Sequence, residues 1–416
     1  MRKKIIVKAP VLSQSGYGEQ SRFALRALRS REDIYDIYIM PLRWGQTGWI
    51  WEENEFRRWL DDRIQVTQEM ISSKRLQADI SLQITIPDEF EKMAPINIGY
   101  TAGIETTNVA PQWLVKGNDM DKILVVSNHS RNTYRNTTAK ATNNATGEEF
   151  DYGLQTPIEV VWENTPTEEP EELQQLKLDY DFNFLIVSQM GQRKNFDNAI
   201  KWWIEEFFDQ EVGLVIKTNL ASNCIMDYDA TVDALKAAVH KYPDRKCKIY
   251  LLHGDMPRSQ MLGLYTNEKI KAIVNIAHGE GFGLPLFEAA RHALPIITIG
   301  WSGQVDFLFH DDKEYYNSVE YNIQPVQDAA VWPGVIEKNS GWAFADQGSY
   351  KMTLRKVYKN WDKAKELALE LQPIVLDKFS DEKLYELFNS HLEEYCSTIS
   401  DDDWLSEMDN IVKEYE

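Results

Sequence analysis

The sequence predicts an α/β protein made of two Rossmann-like domains, each a parallel sheet covered by helices. Short apolar runs recur along the chain, glycine or polar turns follow them, and helical patterns separate them. Strands buried on both faces have continuous rather than alternating apolar residues, as these runs do. The 416 residues, 43% of them hydrophobic and 12% aromatic, are enough to bury two cores.

The predicted strands form two series. The first series is Ile5–Ala9, Ile37–Met40, Asp79–Ile84, Ile96–Tyr100, Lys122–Ser127 and Ile158–Trp162. The second is Phe184–Ser188, Gly213–Lys217, Lys248–His253, Ala272–Ile276 and Pro295–Ile299. The acidic stretch Asn164–Gln175, which contains two prolines, lies between them and is the predicted linker. We expect domains at residues 1–170 and 171–385, followed by a C-terminal helical segment at 386–416.

Charge and composition narrow the functional classes. The net charge of −20 comes almost entirely from residues after 150. Nucleic-acid binding is weakly disfavoured, because it depends on Lys and Arg that displace counterions. The first apolar run is interrupted by Lys8 and Pro10, and no run approaches the ~18 residues of a membrane span. With three sparse cysteines, a soluble protein of the reducing cytoplasm is expected.

The segment HGEGFGLPLFEA, from His278 to Ala289, is the strongest functional motif. Pro285 favours a helix that begins at Leu284 to Pro285 and has Glu288 in its first turn. Free N–H groups at a helix start suit an anionic ligand, whereas ionised carboxylates accept hydrogen bonds from sugar hydroxyls. A sugar nucleotide has both kinds of group.

Glu280 and Glu288 of this segment resemble the E-x7-E motif of retaining glycosyltransferases of family 4 (glycosyl transferases group 1). The order of strands, glycines and helices from Lys248 to Phe307 is similar as well. The resemblance implies the GT-B fold, with a central cleft and a C-terminal helix, within Asp381–Glu416, that crosses back to the first domain. It implies transfer of a sugar from a nucleotide-diphosphate sugar, UDP- or GDP-linked, to an acceptor hydroxyl with retention of configuration. Neither a cofactor nor a metal is expected.

The resemblance also assigns site residues. Glu288 would hold the nucleotide ribose, Glu280 would accept from a sugar hydroxyl, and Lys194 occupies the lysine position that grips the diphosphate. Gln189 stands where the family has an arginine, and Arg193 is the candidate replacement. Glu280, Lys194 and Glu105 are the candidate catalytic residues. The full donor-binding set is Gly16, Tyr17, Gly18, Gln189, Arg193, Lys194, His253, Glu280, Gly281, Phe282, Gly283, Leu284, Glu288, Ser302 and Gly303.

The turn containing Gly16 and Gly18 follows the first predicted strand and precedes a helix expected from about Gln20. By resemblance it faces the donor phosphates. A competing interpretation is the G-x-G-x-x-G turn of an NAD-type oxidoreductase, with Asp36 as the acidic residue that follows. Ser21 stands where the third glycine of that pattern would be.

The acceptor side is less defined. Many relatives have a histidine near the reacting sugar, but this chain has none between Tyr100 and Asn128. Glu105 is therefore the candidate to orient the acceptor or act as a base, with His129 as a second possibility. The acceptor could be a glycan, a lipid-linked sugar, a protein or a small molecule. Because of Gln189 and the missing histidine, a catalytically silent sugar-nucleotide-binding protein stays open as an alternative.

Other patterns favour structural roles. Three D-x-D triplets, at residues 179–181, 227–229 and 401–403, resemble metal-binding motifs but are expected by chance in so acidic a chain. His278 is expected to be a packed histidine. Arg22, Arg26 and Arg29 recur at helical spacing; an anionic acceptor could meet them, but a solvated helix face is expected.

Overall fold

A computed structural model describes residues 2–143 and 145–396. Two sheets of six parallel strands, each flanked by helices, make up the molecule. The first half contains β1 (Lys3–Ala9), α1 (Gly16–Arg29), β2 (Tyr35–Pro41), α2 (Glu55–Ser72), β3 (Ile80–Ile84), β4 (Ile96–Thr101), α3 (Pro111–Gly117), β5 (Lys122–Val125), α4 (Asn128–Asn136), β6 (Thr138–Thr142), β7 (Glu149–Gly153) and β8 (Ile158–Val160).

The second half begins with β9 (Asn183–Val187), α5 (Phe196–Phe207), β10 (Gly213–Thr218), α6 (Ile225–Val239), β11 (Lys248–His253), α7 (Arg258–Thr266), β12 (Ile270–Asn275), α8 (Leu284–Arg291) and β13 (Ile296–Ile299). It continues with α9 (Val305–Leu308), β14 (Phe309–His310), β15 (Lys313–Glu314), β16 (Asn317–Val319), β17 (Tyr321–Pro325), β18 (Gly341–Ala345), α10 (Gln347–Lys359), α11 (Trp361–Lys378) and α12 (Asp381–Glu393).

The strand order determines which loops meet at the carboxyl edge of the second sheet. The first sheet has the order β2-β1-β3-β4-β5-β8 and the second has β11-β10-β9-β12-β13-β16. In the second sheet the order reverses between β9 and β12, and in such sheets ligands bind in the crevice at the carboxyl ends of the strands around that point. The loops after β9 and β12 carry Lys194 and Glu280 respectively.

Every predicted strand overlaps an observed one, so the α/β class with two parallel sheets is confirmed. The predicted strands do not include β16, which has three residues, or three antiparallel pairs: β6 with β7, β14 with β15, and β17 with β18. The strands β6 and β7 are mostly exposed and polar, so they lack the apolar run that marks a buried strand.

Two predicted helix positions need correction. Helix α1 begins at Gly16 rather than near Gln20, because the Ser15 side chain caps it by accepting a hydrogen bond from the Gly18 N–H at 3.1 Å. Helix α8 begins at Leu284 as predicted, but its first turn holds no acidic residue, so Glu288 lies beyond that turn.

The C-terminal helix α12 packs on α1 of the first domain. Asn389 Nδ2 donates to the Ala27 carbonyl at 2.8 Å, and the rings of Phe23 and Phe388 meet edge to face at 6.2 Å. The expected crossing is thus present within the described residues, and it begins at Asp381. The rest of the expected segment, including Asp401 to Asp403, lies outside them. Within the described residues, no helix combines the length and the apolar character that a membrane span requires.

Candidate functional site

The motif loop after β12 lies directly against the loop after β4 of the first domain. A Cβ on Gly281 would lie 1.9 Å from the Ala102 carbonyl oxygen, and one on Gly279 would lie 2.1 Å from the Glu105 carbonyl oxygen. Both distances are far below van der Waals contact, so only glycine allows the two backbones to approach this closely. These two glycines therefore serve the contact between the domains.

The Glu280 carboxylate is the centre of the site and is almost fully buried. Lys194 Nζ donates to its two oxygens at 2.6 and 2.7 Å, Arg193 Nη1 donates at 3.1 Å, and Asn275 Nδ2 donates at 2.9 Å. Burial alone would raise the pKa of Glu280, but Lys194 and Arg193 outweigh it and lower that pKa to about 2. Glu280 is therefore ionised at neutral pH, with its acceptors directed at two cations.

The turn after β13 holds the backbone of Glu280. Ser302 Oγ accepts from the Glu280 N–H at 2.9 Å, and the Gly303 N–H donates to the Glu280 carbonyl at 2.9 Å. Ser302 is buried with φ of 75°, which is unusual for a residue other than glycine, and Gln304 accepts its hydroxyl proton at 2.9 Å. The predicted residues Ser302 and Gly303 thus lie beside Glu280 and fix its position.

Arg193 joins the two domains at this point. Its Nη1 donates to the Gly279 carbonyl at 2.6 Å, and its Nη2 lies 3.5 Å from Glu105 Oε1 on the first domain. Burial raises the pKa of Glu105, and the Arg193 guanidinium opposes that rise. Burial, together with Arg193, lowers the pKa of Lys194. Four groups from both domains therefore form one charge cluster of Glu105, Arg193, Lys194 and Glu280.

Glu288 lies in a second polar group. Arg258 Nη2 donates to its Oε1 at 3.0 Å, and the Tyr265 hydroxyl donates to its Oε2 at 2.9 Å. An ionised carboxylate can accept about four hydrogen bonds, so these two leave capacity for ligand hydroxyls. The carboxylate is held in one orientation, since its donors lie on α7 and it lies on α8.

His253 and Gln189 have protein partners. His253 Nε2 lies 2.7 Å from Asp227 Oδ1, and Gln189 Nε2 donates to the Leu220 carbonyl at 2.5 Å. Asp227 also accepts from the backbone N–H groups of Leu220, Ala221 and Ser222, and these bonds, together with His253, lower its pKa despite burial. Asp227 belongs to a D-x-D triplet that resembles a metal-binding motif. Its carboxylate instead binds His253 and the backbone of the loop after β10.

The three residues Gly16, Tyr17 and Gly18 at the start of α1 have different surroundings. A Cβ on Gly18 would lie 1.9 Å from the Ser13 carbonyl oxygen, whereas nothing lies within 4 Å of one on Gly16. Tyr17 is buried: its hydroxyl lies 2.7 Å from Thr101 Oγ1 and accepts from the Gly103 N–H at 2.9 Å. Gly16 therefore has open space beside it, while Tyr17 supports the loop after β4.

Asp36 does not reach this turn. It is the second residue of β2, which ends at Pro41, and its Oδ2 accepts from the Tyr38 hydroxyl at 2.9 Å. At ~3.3 Å per residue, Asp36 lies about 16 Å from the carboxyl end of that strand. The NAD-type interpretation requires an acidic residue at the carboxyl end, so the position of Asp36 counts against it.

The histidines and the arginine stripe have distinct surroundings. His278 is buried, and its Nδ1 lies 2.6 Å from the Ala343 carbonyl, as expected for a packed histidine. The His129 ring meets Trp301 at 4.8 Å, and burial lowers the pKa of His129 to about 4. Arg22 is buried rather than solvated, which corrects the prediction for it, because its guanidinium donates to the Val11 and Ser13 carbonyls at 2.9 Å.

Several residues that contact the site were not predicted from the sequence. Asn275 binds Glu280, whereas Arg258 and Tyr265 bind Glu288. Asp306 Oδ2 accepts from the Trp162 indole at 2.7 Å and from the Asn128 N–H at 2.8 Å, which links the second domain to the first. No sequence motif marks these residues, because each forms its hydrogen bond with a residue outside its own helix or strand.

Within residues 2–143 and 145–396, no three or more His, Cys, Asp or Glu side chains are grouped so that they could hold a metal ion. The triplet at 179–181 is dispersed: Lys248 Nζ lies 3.0 Å from Asp179, and Lys269 Nζ lies 3.3 Å from Asp181.

No family model matches the sequence, and no curated protein matches it. Solved structures do. A sucrose-phosphate synthase from Thermosynechococcus elongatus is 12% identical with a TM-score of 0.60, over 96% of this chain and 100% of that one. HepE of Anabaena, in complex with UDP and glucose, is 11% identical with a TM-score of 0.58, over 94% and 100%. A glycosyltransferase from Rickettsia africae is 12% identical with a TM-score of 0.59, over 96% and 99%.

These likenesses extend over almost the whole of each chain. They show that this protein has the GT-B fold, with two Rossmann-like domains. The expectation of that fold is confirmed.

Proposed function

We propose that this protein transfers a sugar from a nucleotide-diphosphate sugar to an acceptor hydroxyl, with retention of anomeric configuration. The observation that supports it most is the Glu280 carboxylate, buried between the domains and held by Lys194, Arg193 and Asn275. This arrangement combines a fixed acceptor for sugar hydroxyls with two cations for phosphate. The structural likeness to HepE in complex with UDP and glucose supports the same donor class.

Each group then has a role in donor binding. Glu288 accepts from the ribose hydroxyls, and the N–H groups of Gly281, Phe282, Gly283 and Leu284 face the donor. Glu280 accepts from a sugar hydroxyl once the diphosphate draws Lys194 or Arg193 away from it, because four hydrogen bonds from protein side chains fill its acceptor capacity before the donor binds. Gly16 and the start of α1 approach the phosphates from the first domain, while Ser302 and Gly303 hold the Glu280 backbone in place.

Lys194 and Arg193 stabilise the charge that develops on the departing diphosphate. A cation already in place needs no reorganisation during the reaction, and a water-poor site strengthens its effect. These two side chains can supply the charge that a metal ion supplies in other enzymes, so we propose a metal-independent reaction. Before the donor binds, Glu280 and Glu105 neutralise both cations.

Retention is proposed through attack on the face from which the diphosphate leaves. Glu280 is a poor nucleophile, because both of its oxygens bind Lys194 and its pKa is about 2. The acceptor hydroxyl therefore attacks directly, and the leaving diphosphate takes its proton. Glu105, whose pKa is raised by burial, orients the acceptor.

The acceptor is proposed to be a glycan, a lipid-linked sugar, a protein or a small molecule. The acidic second half of the chain makes nucleic acid the weaker candidate. The sparse, widely spaced cysteines support a cytoplasmic location.

A thermal-shift series tests the donor site. UDP, GDP, ADP, CMP, their sugar conjugates and NAD are added to the wild type, because a ligand that binds only the native state raises its Tm. We expect one nucleoside diphosphate and its sugar conjugates to raise Tm, with the shift lost in Glu288→Ala and Lys194→Ala. The matched control is Glu172→Ala, since Glu172 is exposed on the linker. A shift with NAD alone, or none with any nucleotide, would refute the proposal.

A transfer assay separates activity from binding. The conjugate that stabilises the protein is incubated with an acceptor panel, and its hydrolysis and transfer are followed by release of the nucleoside diphosphate. Binding without release would favour the silent sugar-nucleotide-binding alternative.

A further inference from the structure

The linker between the two sheets lies along helix α7. Arg258 Nε donates to the Pro166 carbonyl at 2.7 Å, and the Glu171 N–H donates to the Ser259 carbonyl at 2.9 Å. A Cβ on Gly263 would lie 1.9 Å from the Glu171 carbonyl oxygen. The helix therefore holds the linker at both ends of this stretch.

A second arginine holds the start of the linker. Arg291 Nη1 donates to Asn164 Oδ1 at 2.9 Å and to the Thr165 carbonyl at 2.7 Å, and its Nη2 donates to Thr167 Oγ1 at 2.5 Å. Arg291 lies on α8, one turn beyond Glu288. Both arginines thus connect the linker to helices of the second domain.

The second connection between the domains meets the linker at Asn164. Asn164 Nδ2 donates to the Phe379 carbonyl at 2.8 Å and to Asp381 Oδ1 at 2.9 Å, where α11 gives way to α12. Residues at which the chain passes between domains are where hinge motion is absorbed. We call Asn164 and its partners the hinge, because a motion between the domains would be absorbed where both connections pass.

Arg258 differs from Arg291 in also binding the candidate donor site. Its Nη2 donates to Glu288 Oε1 at 3.0 Å, and the side chains of Arg258 and Glu288 are only 15% and 12% exposed. The guanidinium is planar and rigid, so the Pro166 carbonyl and the Glu288 carboxylate are held at a fixed spacing by one group. A displacement at either end moves the other.

We propose that Arg258 is a positioning residue that couples occupation of Glu288 by the ribose of a nucleoside diphosphate to the interdomain linker. The coupling rests on the proposed function, because it requires the ribose hydroxyls to bind Glu288. A bound ribose restrains the Glu288 carboxylate, the carboxylate restrains the guanidinium, and the guanidinium restrains the linker at Pro166. Donor binding thereby orders the hinge.

Hydrogen exchange of linker amides measures this coupling. Peptides covering residues 163–175 are followed with and without saturating UDP, GDP and ADP, and Kd is measured in parallel. In the wild type, the nucleotide that binds should slow linker exchange about tenfold, which corresponds to about 1.4 kcal/mol. Arg258→Met should weaken its binding about tenfold, through loss of a hydrogen bond between charged groups, and should abolish the change in linker exchange even at saturation.

Two further variants isolate the effect. Arg291→Met loosens the linker but removes no hydrogen bond to the Glu288 side chain, so linker exchange should rise in the free protein while nucleotide still slows it and Kd changes less than about twofold. Arg258→Lys keeps the charge beside Glu288 but cannot also reach Pro166, so Kd should stay within about threefold while the linker response disappears. This variant keeps the test decisive if Arg258→Met does not fold.

The outcomes separate the two proposals. A nucleotide that slows linker exchange equally in the wild type and in the Arg258 variants would overturn the coupling and leave the proposed function intact. Loss of the response in Arg291→Met as well would also overturn it, because any linker contact would then suffice. A wild type that binds none of the three nucleotides would overturn the proposed function and the coupling with it.

Discussion

Replacement of Glu280 by glutamine should destabilise the protein strongly, because it removes the counter-charge of the largely buried Lys194 ammonium and one of the two carboxylates beside Arg193. The Glu280 side chain is 7% exposed, and Lys194 and Arg193 both donate to it. Removing one partner of a buried ion pair costs about 3–5 kcal/mol, since the remaining charge stays desolvated. We expect the free energy of unfolding of Glu280→Gln to fall within that range.

The pKa of Glu280 gives an independent estimate of how much its charge contributes to the free energy of unfolding. Its value of about 2 in the folded protein lies below the ordinary 4.5, a difference that amounts to about 3 kcal/mol. The folded state binds fewer protons than the unfolded state, so this stability is fully present above about pH 4.5. It is lost as the pH falls towards 2. The wild type should therefore lose stability through this window more steeply than Glu280→Gln.

Urea denaturation at pH 7 and along a series down to pH 3 measures both effects. The double variant Lys194→Met with Glu280→Gln should regain part of the lost stability, because a buried cation is removed with the carboxylate, yet it should not regain donor binding. Glu172→Ala serves as the surface control. A loss below about 1 kcal/mol in Glu280→Gln, or a double variant no more stable than the single one, would refute the inferred charge balance.

Four other substitutions test three separate features. Gly281→Ala places a methyl group where it would lie 1.9 Å from the Ala102 carbonyl oxygen. It should lower the free energy of unfolding by about 1–3 kcal/mol and remove most of the turnover. Gly16→Ala is the control, because its methyl group enters open space and should leave Tm nearly unchanged. Tyr17→Phe leaves the Gly103 N–H without its acceptor. It should lower the free energy of unfolding, measured by urea denaturation, by about 1–3 kcal/mol. Burial raises the pKa of Glu163 to about 8, so the folded state binds the extra proton and stability should fall from about pH 4.5 to 8. Glu163→Gln should flatten that dependence and stabilise the protein at pH 9 by up to about 5 kcal/mol, and an unchanged pH profile would contradict this account.

The fold could be predicted because its signals are local. Continuous apolar runs such as Phe184–Ser188 mark buried parallel strands, and Pro285 marks the start of α8, so strand positions and that helix start agree with the structure. The hairpin of β6 and β7 could not be found in this way. Its stability comes from cross-strand pairing of polar residues, which leaves no apolar pattern.

Four of the residues predicted for the site lie together in the structure, but their contacts could not be predicted. Glu280, Lys194, Arg193 and Glu105 are brought together as one cluster, but their pairing across the domains depends on how two distant loops meet. The sequence places Glu288 on α8 and gives no sign that Arg258 would bind it, because those residues belong to different helices. Tyr17 illustrates the same limit, since its partner Thr101 is 84 positions away.

The return of α12 to α1 makes the second domain an insertion within the first. Residues between Asn164 and Asp381 must be synthesised before α12 can cover Phe23 and before Asn389 can donate to the Ala27 carbonyl. At about 5–20 residues per second on the ribosome, the inserted domain alone delays the partner of the apolar side of α1 by about 10–40 s. The first domain therefore completes its folding after the second has emerged, and this interval is when a nascent chain of this architecture most needs protection from aggregation.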